Sequence, residues 1–138
     1  METLPLPRPF RLIAIYKVMA EIFLYLLIAH LIGDWIIQTY WMATEKSKRL
    51  LPLLAHVVSY HLFTFGALSL VGVDLIKVIW ATLFLAITHA ILDHRRFEFW
   101  WLRKIKKVKD EEIPVWLLLG VDQSFHLTLL ALVAFWLS

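Results

Sequence analysis

The sequence predicts an all-α integral membrane protein, a bundle of four transmembrane helices with a short interfacial segment between the third and fourth. Two observations lead to this fold class. Of the 138 residues, 61% are hydrophobic and only 18% are charged, whereas a soluble domain is about one quarter charged. The charged residues are also bunched, which leaves four apolar stretches close to the roughly 20 residues that a helix needs to cross a bilayer.

These stretches set the predicted spans within a single domain, residues 1–138. The spans are expected at about residues 20–42, 51–71, 75–92 and 115–137. Pro52 suits the first turn of the second span, and Pro114 is expected to start the fourth. The first ten residues hold three prolines and do not resemble a cleaved signal peptide. The chain has no cysteine, which excludes disulfides and thiolate metal sites.

Two basic segments lie beside the spans and predict the topology. Residues 45–49 follow the first span, and residues 95–109 follow the third. Because Lys and Arg accumulate on the cytoplasmic side, both loops are expected there, with both termini outside. This placement explains the net charge of +3 without nucleic acid as a partner.

The second basic segment also contains four aromatic residues, Phe97, Phe99, Trp100 and Trp101. Aromatic rings next to lysines predict a short helix in the headgroup region. Two interpretations stay open. The segment is either an ordinary aromatic belt with topology signals or a site for an anionic lipid headgroup, with Arg95 and Arg96 as the binding residues.

Polar residues interrupt the apolar spans at a regular spacing. Three spans each carry a His and an Asp four residues apart, and the second span carries His56 and His61 without an Asp. The residues taken as one set are His30, Asp34, His56, His89, Asp93, Asp122 and His126. Residues at i and i+4 share one helix face. An Asp near a helix centre costs about 2.5–3.5 kcal/mol, so the carboxylates are expected to face inward. A rise of about 1.5 Å per residue places the set in one slab nearer the basic side.

Three interpretations of this His/Asp set remain. The pairs can be structural hydrogen bonds, a proton or ion pathway, or a site for one or two divalent metals. Imidazole and carboxylate ligands suit zinc, manganese or iron. All seven residues are candidate ligands, and Gln38 and Gln123 are candidates to hold them by hydrogen bonds. His61 is expected to point away from the face of His56.

The spacing within the first span carries a resemblance. His30, Gly33, Asp34 and Gln38 form an HxxGDxxxQ pattern, followed by the Trp41-Met42-Ala43 stretch and by the His89/Asp93 and Asp122/His126 pairs. From about Leu24 to the C terminus, the chain resembles the domain-of-unknown-function 3307 family of small bacterial and phage membrane proteins. The resemblance implies a bacterial inner membrane and implies no activity.

If a metal is bound, the sequence predicts a membrane-embedded metal-dependent hydrolase of a lipid or lipid-linked substrate. Asp34, Asp93 and His56 are then the candidate catalytic residues, and membrane lipid is the expected partner. The alternative is a non-enzymatic ion- or proton-conducting or accessory module. The Trp-rich faces are compatible with a homo-oligomer.

Overall fold

The computed structural model describes residues 7–138, without the side chain of Arg8. Within this range the chain forms six α-helices: α1 (Arg8–Leu31), α2 (Tyr40–Glu45), α3 (Leu50–Leu70), α4 (Leu75–Asp93), α5 (Arg96–Lys104) and α6 (Val115–Leu137). A π-helical turn, Ile32–Ile37, continues α1, and a 3-10 turn, Asp110–Glu112, precedes α6. Residues 1–6, on which much of the signal-peptide expectation rests, lie outside the described range.

Four helical segments are long and apolar enough to cross a membrane, which confirms the predicted fold class. They are Pro9–Ile37, Leu50–Leu70, Leu75–Asp93 and Val115–Leu137. The first segment differs most from the prediction, since it begins and ends earlier. It starts near a proline, which suits a first helical turn, and continues through Arg11 and Lys17. It ends where Gln38 leaves the helical conformation and the Thr39 hydroxyl caps α2 by accepting from the Met42 N–H.

The four spanning segments close into a ring. Helix α1 packs against α3 and α6, and α4 packs against the same two helices. The half of the interior near the α3–α4 turn is an apolar core that includes Ile22, Leu68, Val78 and Leu137. The half near α2 and α5 holds the buried His and Asp side chains. The bundle is therefore apolar at one end and polar at the end that carries the basic loops.

The short helix α5 is docked on α6 at the polar end of the bundle. Arg95, with a positive φ of 61°, forms the sharp turn from α4 into α5. Leu102 is fully buried against Leu118 and Val121 of α6. Basic side chains of α5 and the loop that follows it are exposed around this contact. The predicted interfacial segment is thus a helix with one face on the bundle.

The π-helical turn depends on a glycine. A Cβ atom on Gly33 would lie 2.2 Å from Cδ2 of Tyr60, which no side chain tolerates. Tyr60 is only 1% exposed and packs across the π-turn from α3. The absence of a side chain at Gly33 therefore lets α3 approach the turn that carries Asp34, and π-turns of this kind frequently occur at functional sites.

We predict that Gly33→Ala lowers the free energy of unfolding in detergent by about 1–3 kcal/mol, because the new methyl group must displace the Tyr60 ring. Gly66→Ala is the matched control, since a Cβ at that helical position meets nothing within 4 Å. Thermal unfolding of the two variants checks this. Equal stabilities would show that the close approach of α3 to the π-turn is not required.

Candidate metal centre

Four buried side chains from three elements meet at the polar end of the bundle. The π-turn supplies Asp34, α3 supplies His56, and α4 supplies His89 and Asp93. Their exposed fractions lie between 0 and 6%. The i, i+4 spacing within α4 places His89 above Asp93 on one helix face, and the ring of helices brings that face to the other two residues.

The polar atoms of these four residues converge on one point. His56 Nε2 lies 3.0 Å from Asp34 Oδ1 and 3.1 Å from Asp93 Oδ2. It also lies 3.0 Å from His89 Nε2. His89 Nε2 is in turn 3.0 Å from Asp93 Oδ2 and 3.6 Å from Asp34 Oδ1. The four candidate ligand atoms are Asp34 Oδ1, His56 Nε2, His89 Nε2 and Asp93 Oδ2. Of the six distances between them, these five fall between 3.0 and 3.6 Å. We call these four residues the converging set.

These distances match the corners of a tetrahedral metal site. Zinc binds imidazole nitrogen and carboxylate oxygen at about 2.0–2.1 Å, and a regular tetrahedron with such bonds has edges of about 3.3–3.4 Å. The observed spacings of 3.0–3.6 Å bracket that length. The five distances fit the edges of such a site, and two groups of three residues, Asp34/His56/His89 and His89/Asp93/His126, each have candidate ligand atoms within 4.8 Å of one another.

Two carboxylate oxygens of the converging set lack a hydrogen bond of acceptable geometry within residues 7–138. Asp34 Oδ1 and Asp93 Oδ2 have no hydrogen-bond partner of acceptable geometry, although each lies close to an imidazole nitrogen. Two Nε2 atoms 3.0 Å apart can share only one proton. Buried polar groups are normally paired, so such orphan acceptors need a reason. A cation at the shared point would satisfy all four atoms.

The second oxygen of each converging carboxylate faces a nitrogen donor. Lys46 Nζ lies 2.9 Å from Asp93 Oδ1, and the Gln123 amide donates to Asp34 Oδ2 over 3.4 Å. Residues that ligate metals are commonly oriented by such outer hydrogen bonds. Each carboxylate is therefore held with one oxygen toward the shared point and the other toward a fixed donor.

Lys46 is the residue that sequence reasoning missed. It lies in the basic segment that the sequence assigned to topology, yet it is only 6% exposed and also approaches His56 Nε2 at 3.2 Å. The short helix α2 and the turn after it carry its ammonium group into the cluster. No sequence signal distinguishes it from Lys48, which pairs with Glu45 at the surface.

His30 lies deeper in the bundle, with both ring nitrogens in hydrogen bonds. The Gln123 amide nitrogen faces the carboxylates of Asp122 and Asp34, so its oxygen faces His30 Nε2 at 2.9 Å and that nitrogen must donate. His30 Nδ1 then accepts from the Tyr60 hydroxyl at 3.0 Å. Both ring nitrogens of His30 are thus engaged in this arrangement, and its role as a metal ligand stays a prediction.

His126 and Asp122 lie beside the converging set rather than in it. His126 Nδ1 donates to the Asp122 backbone carbonyl at 2.9 Å, so its Nε2 carries no proton when the ring is neutral, and that atom has no partner. The rings of His126 and His89 are 4.6 Å apart, and one donor atom of His126 lies within 4.8 Å of donors on His89 and Asp93. His126 therefore offers a free nitrogen next to the candidate site.

The other residues that the sequence analysis singled out lie outside the converging set. Gln38 donates to the Asp34 backbone carbonyl at 3.0 Å and so stabilises the end of the π-turn rather than a ligand side chain. His61 is buried, and both its nitrogens lack partners. Arg95 and Arg96 lie at the start of α5, at the basic end of the bundle.

A further buried acid lies outside the membrane spans. Glu98 of α5 is fully buried, and neither carboxylate oxygen has a hydrogen-bond partner. Burial, together with the nearby charges of Asp122 and Asp93, raises the pKa of Glu98 to about 7. A substantial fraction of this carboxyl is therefore protonated at neutral pH. Sequence reasoning missed it because Glu98 lies among exposed charged residues of an interfacial helix.

Comparison with known protein families agrees with the motif pattern. Residues 22–138 match the model of the family described as "Protein of unknown function (DUF3307)". The chain belongs to this family. The matched region contains every residue of the converging set and begins within α1, after the part of that helix that extends beyond the core. No curated protein and no solved structure matches the chain.

Proposed function

We propose that the converging set binds one divalent transition-metal ion and that the protein is a membrane-embedded metal-dependent hydrolase of a lipid or lipid-linked phosphoester. The observation that carries the proposal is the convergence of two imidazole nitrogens and two carboxylate oxygens at 3.0–3.6 Å, with the two oxygens lacking hydrogen-bond partners. The ligands are Asp34, His56, His89 and Asp93.

Charge balance supports a divalent ion. When ionised, the carboxylates of Asp34, Asp93 and Asp122 would carry three negative charges, and Lys46 would supply one positive charge. With neutral imidazoles, two negative charges would then remain among buried side chains. One divalent ion would neutralise them, and two nitrogen and two oxygen ligands suit zinc, manganese or iron.

The other side chains take roles around the ion. Lys46 and Gln123 orient the two carboxylates, and His126 serves as the general base because its Nε2 is free and its Nδ1 is fixed by a backbone carbonyl. Asp34, Asp93 and His56, which the sequence assigned to catalysis, act as ligands in this proposal. A bound divalent ion would supply Lewis acidity to a water and to a phosphoryl oxygen, and its coordination would have to expand beyond the four protein ligands to do so.

The position of the cluster favours a lipid phosphoester as substrate. The cluster lies at the end of the bundle that carries the basic loops and the aromatic helix α5. Arg95 and Arg96 are at that end and are proposed to hold the phosphate headgroup, since Arg binds phosphate oxygens through paired N–H donors. In the proposed orientation this end faces the cytoplasm.

One observation favours a second candidate function. Lys46 already places a positive charge 2.9 Å from Asp93 and 3.2 Å from His56, so the ammonium group itself can stabilise part of the cluster without metal. The protein would then be a non-enzymatic membrane module whose His/Asp network fixes the helices or relays protons. Metal content distinguishes the two functions.

We predict that purified wild-type protein retains about one zinc, manganese or iron ion per chain, because four preoriented ligands hold one ion. His56→Ala should lose most of this metal. His61→Ala is the matched control, since His61 is also buried on the same helix but lies outside the converging set. Elemental analysis measures the metal content of each variant, and unfolding curves show that each variant is folded. A metal-free wild type, or equal loss in both variants, would refute the site.

We also predict that metal-loaded protein releases phosphate from phosphatidic acid or cleaves phosphatidylglycerol in mixed micelles. His126→Gln should lower kcat by about 10²–10⁴-fold, as expected for removal of a general base, while leaving the metal content unchanged. Phosphate release and lipid chromatography measure the two reactions. If metal-loaded protein turns over no phosphoester lipid, the hydrolase proposal fails while the metal site still stands.

A further inference from the structure

A groove lies between α5 and the first half of α6, at the basic end of the bundle. Its volume is about 420 Å³. The groove is lined by aromatic side chains with polar or small residues between them. These lining residues include Trp101, Lys106, Trp116, Gly120, Ser124 and Phe125. Trp116, Gly120 and Ser124 are exposed, so the groove opens sideways from the bundle toward the surrounding membrane.

The walls of the groove are aromatic. The rings of Trp101 and Phe125 pack edge-to-face with centroids 5.1 Å apart, which fixes one wall. Trp116 is 73% exposed at the start of α6 and forms the other. A tryptophan side chain combines an apolar ring system with a polar N–H, which suits the boundary between acyl chains and headgroups.

The end of the groove carries a positive charge. In the same loop, Arg103 pairs with Asp110, and Lys109 lies 3.8 Å from Glu112. Lys106 has no ion pair within residues 7–138, while its backbone N–H is held by the Trp101 carbonyl at 3.2 Å. Its ammonium group is therefore available for an anion next to an apolar wall.

We propose that this groove binds one anionic phospholipid, with the phosphate at Lys106 and an acyl chain along Trp101, Trp116 and Gly120. An apolar channel that opens into the membrane and ends at an available ammonium group matches the two parts of such a lipid. A soluble phosphate would use only the lysine, and an apolar peptide would leave the lysine unpaired. The inference does not depend on metal binding in the cluster.

The test uses full-length protein in phosphatidylcholine nanodiscs. Tryptophan fluorescence is measured as phosphatidylglycerol with brominated acyl chains replaces the unlabelled lipid, and brominated phosphatidylcholine gives the reference curve. We expect wild type to reach half-maximal quenching at a lower mole fraction of brominated phosphatidylglycerol than of brominated phosphatidylcholine. Lys106→Gln should raise that fraction about fivefold, which is the usual effect of one lysine at an anionic surface.

Two pairs of variants separate a groove from general surface attraction. Lys107→Gln removes the same charge from the same loop outside the groove. Gly120→Leu fills the groove and Gly66→Leu fills a lipid-facing groove elsewhere, and a Cβ at either glycine meets nothing within 4 Å. The proposal requires that Lys106→Gln and Gly120→Leu lose the preference for the anionic lipid. Lys107→Gln and Gly66→Leu should keep it. No preference in wild type, or equal effects within each pair, would overturn it.

Discussion

Three carboxylates lie inside a bundle whose outer surface is apolar, and the rest of the polar architecture follows from their need for positive charge or hydrogen-bond donors. Asp34, Asp93 and Asp122 are all less than 10% exposed. An ionised carboxylate in such a place is costly unless it is paired. The helices of the polar half are arranged so that each carboxylate meets histidine, lysine or glutamine side chains.

The apolar half of the bundle makes this arrangement possible. Residues such as Ile22, Leu68 and Val78 are fully buried, and their burial packs the spanning helices together in this half of the bundle. The π-turn at Gly33 then lets Tyr60 approach closely, and Tyr60 holds His30 through its hydroxyl. The four converging donors are thus supported by a rigid surrounding, as a preorganised metal site requires.

The sequence predicted the parts of this structure that depend on periodicity. The composition predicted four spans, and the spacing of His89 and Asp93 predicted that they share one helix face. The sequence did not distinguish the converging set from the residues beside it, because His30 and His56 look alike until the neighbours of each ring nitrogen are known. Lys46 and Glu98 were missed for the same reason. Both lie in charged segments that look solvated, and only tertiary packing buries them.

The family match extends across the cluster and assigns no chemistry to it. The chemical argument therefore rests on the geometry of the converging set and on the two oxygens, Asp34 Oδ1 and Asp93 Oδ2, that lack hydrogen-bond partners. Lys46 supplies one cation but approaches only one of these two carboxylates closely. A second cation at the shared point accounts for all four donors at once.

The most direct test of the proposed metal centre is X-ray absorption at the K-edge of any zinc, manganese or iron that co-purifies with the protein in detergent. The structure predicts about four nitrogen or oxygen neighbours, at about 2.0–2.1 Å for zinc, with the multiple-scattering signature of two imidazole rings. A spectrum of six oxygen neighbours without imidazole scattering, or protein without stoichiometric metal, would contradict it.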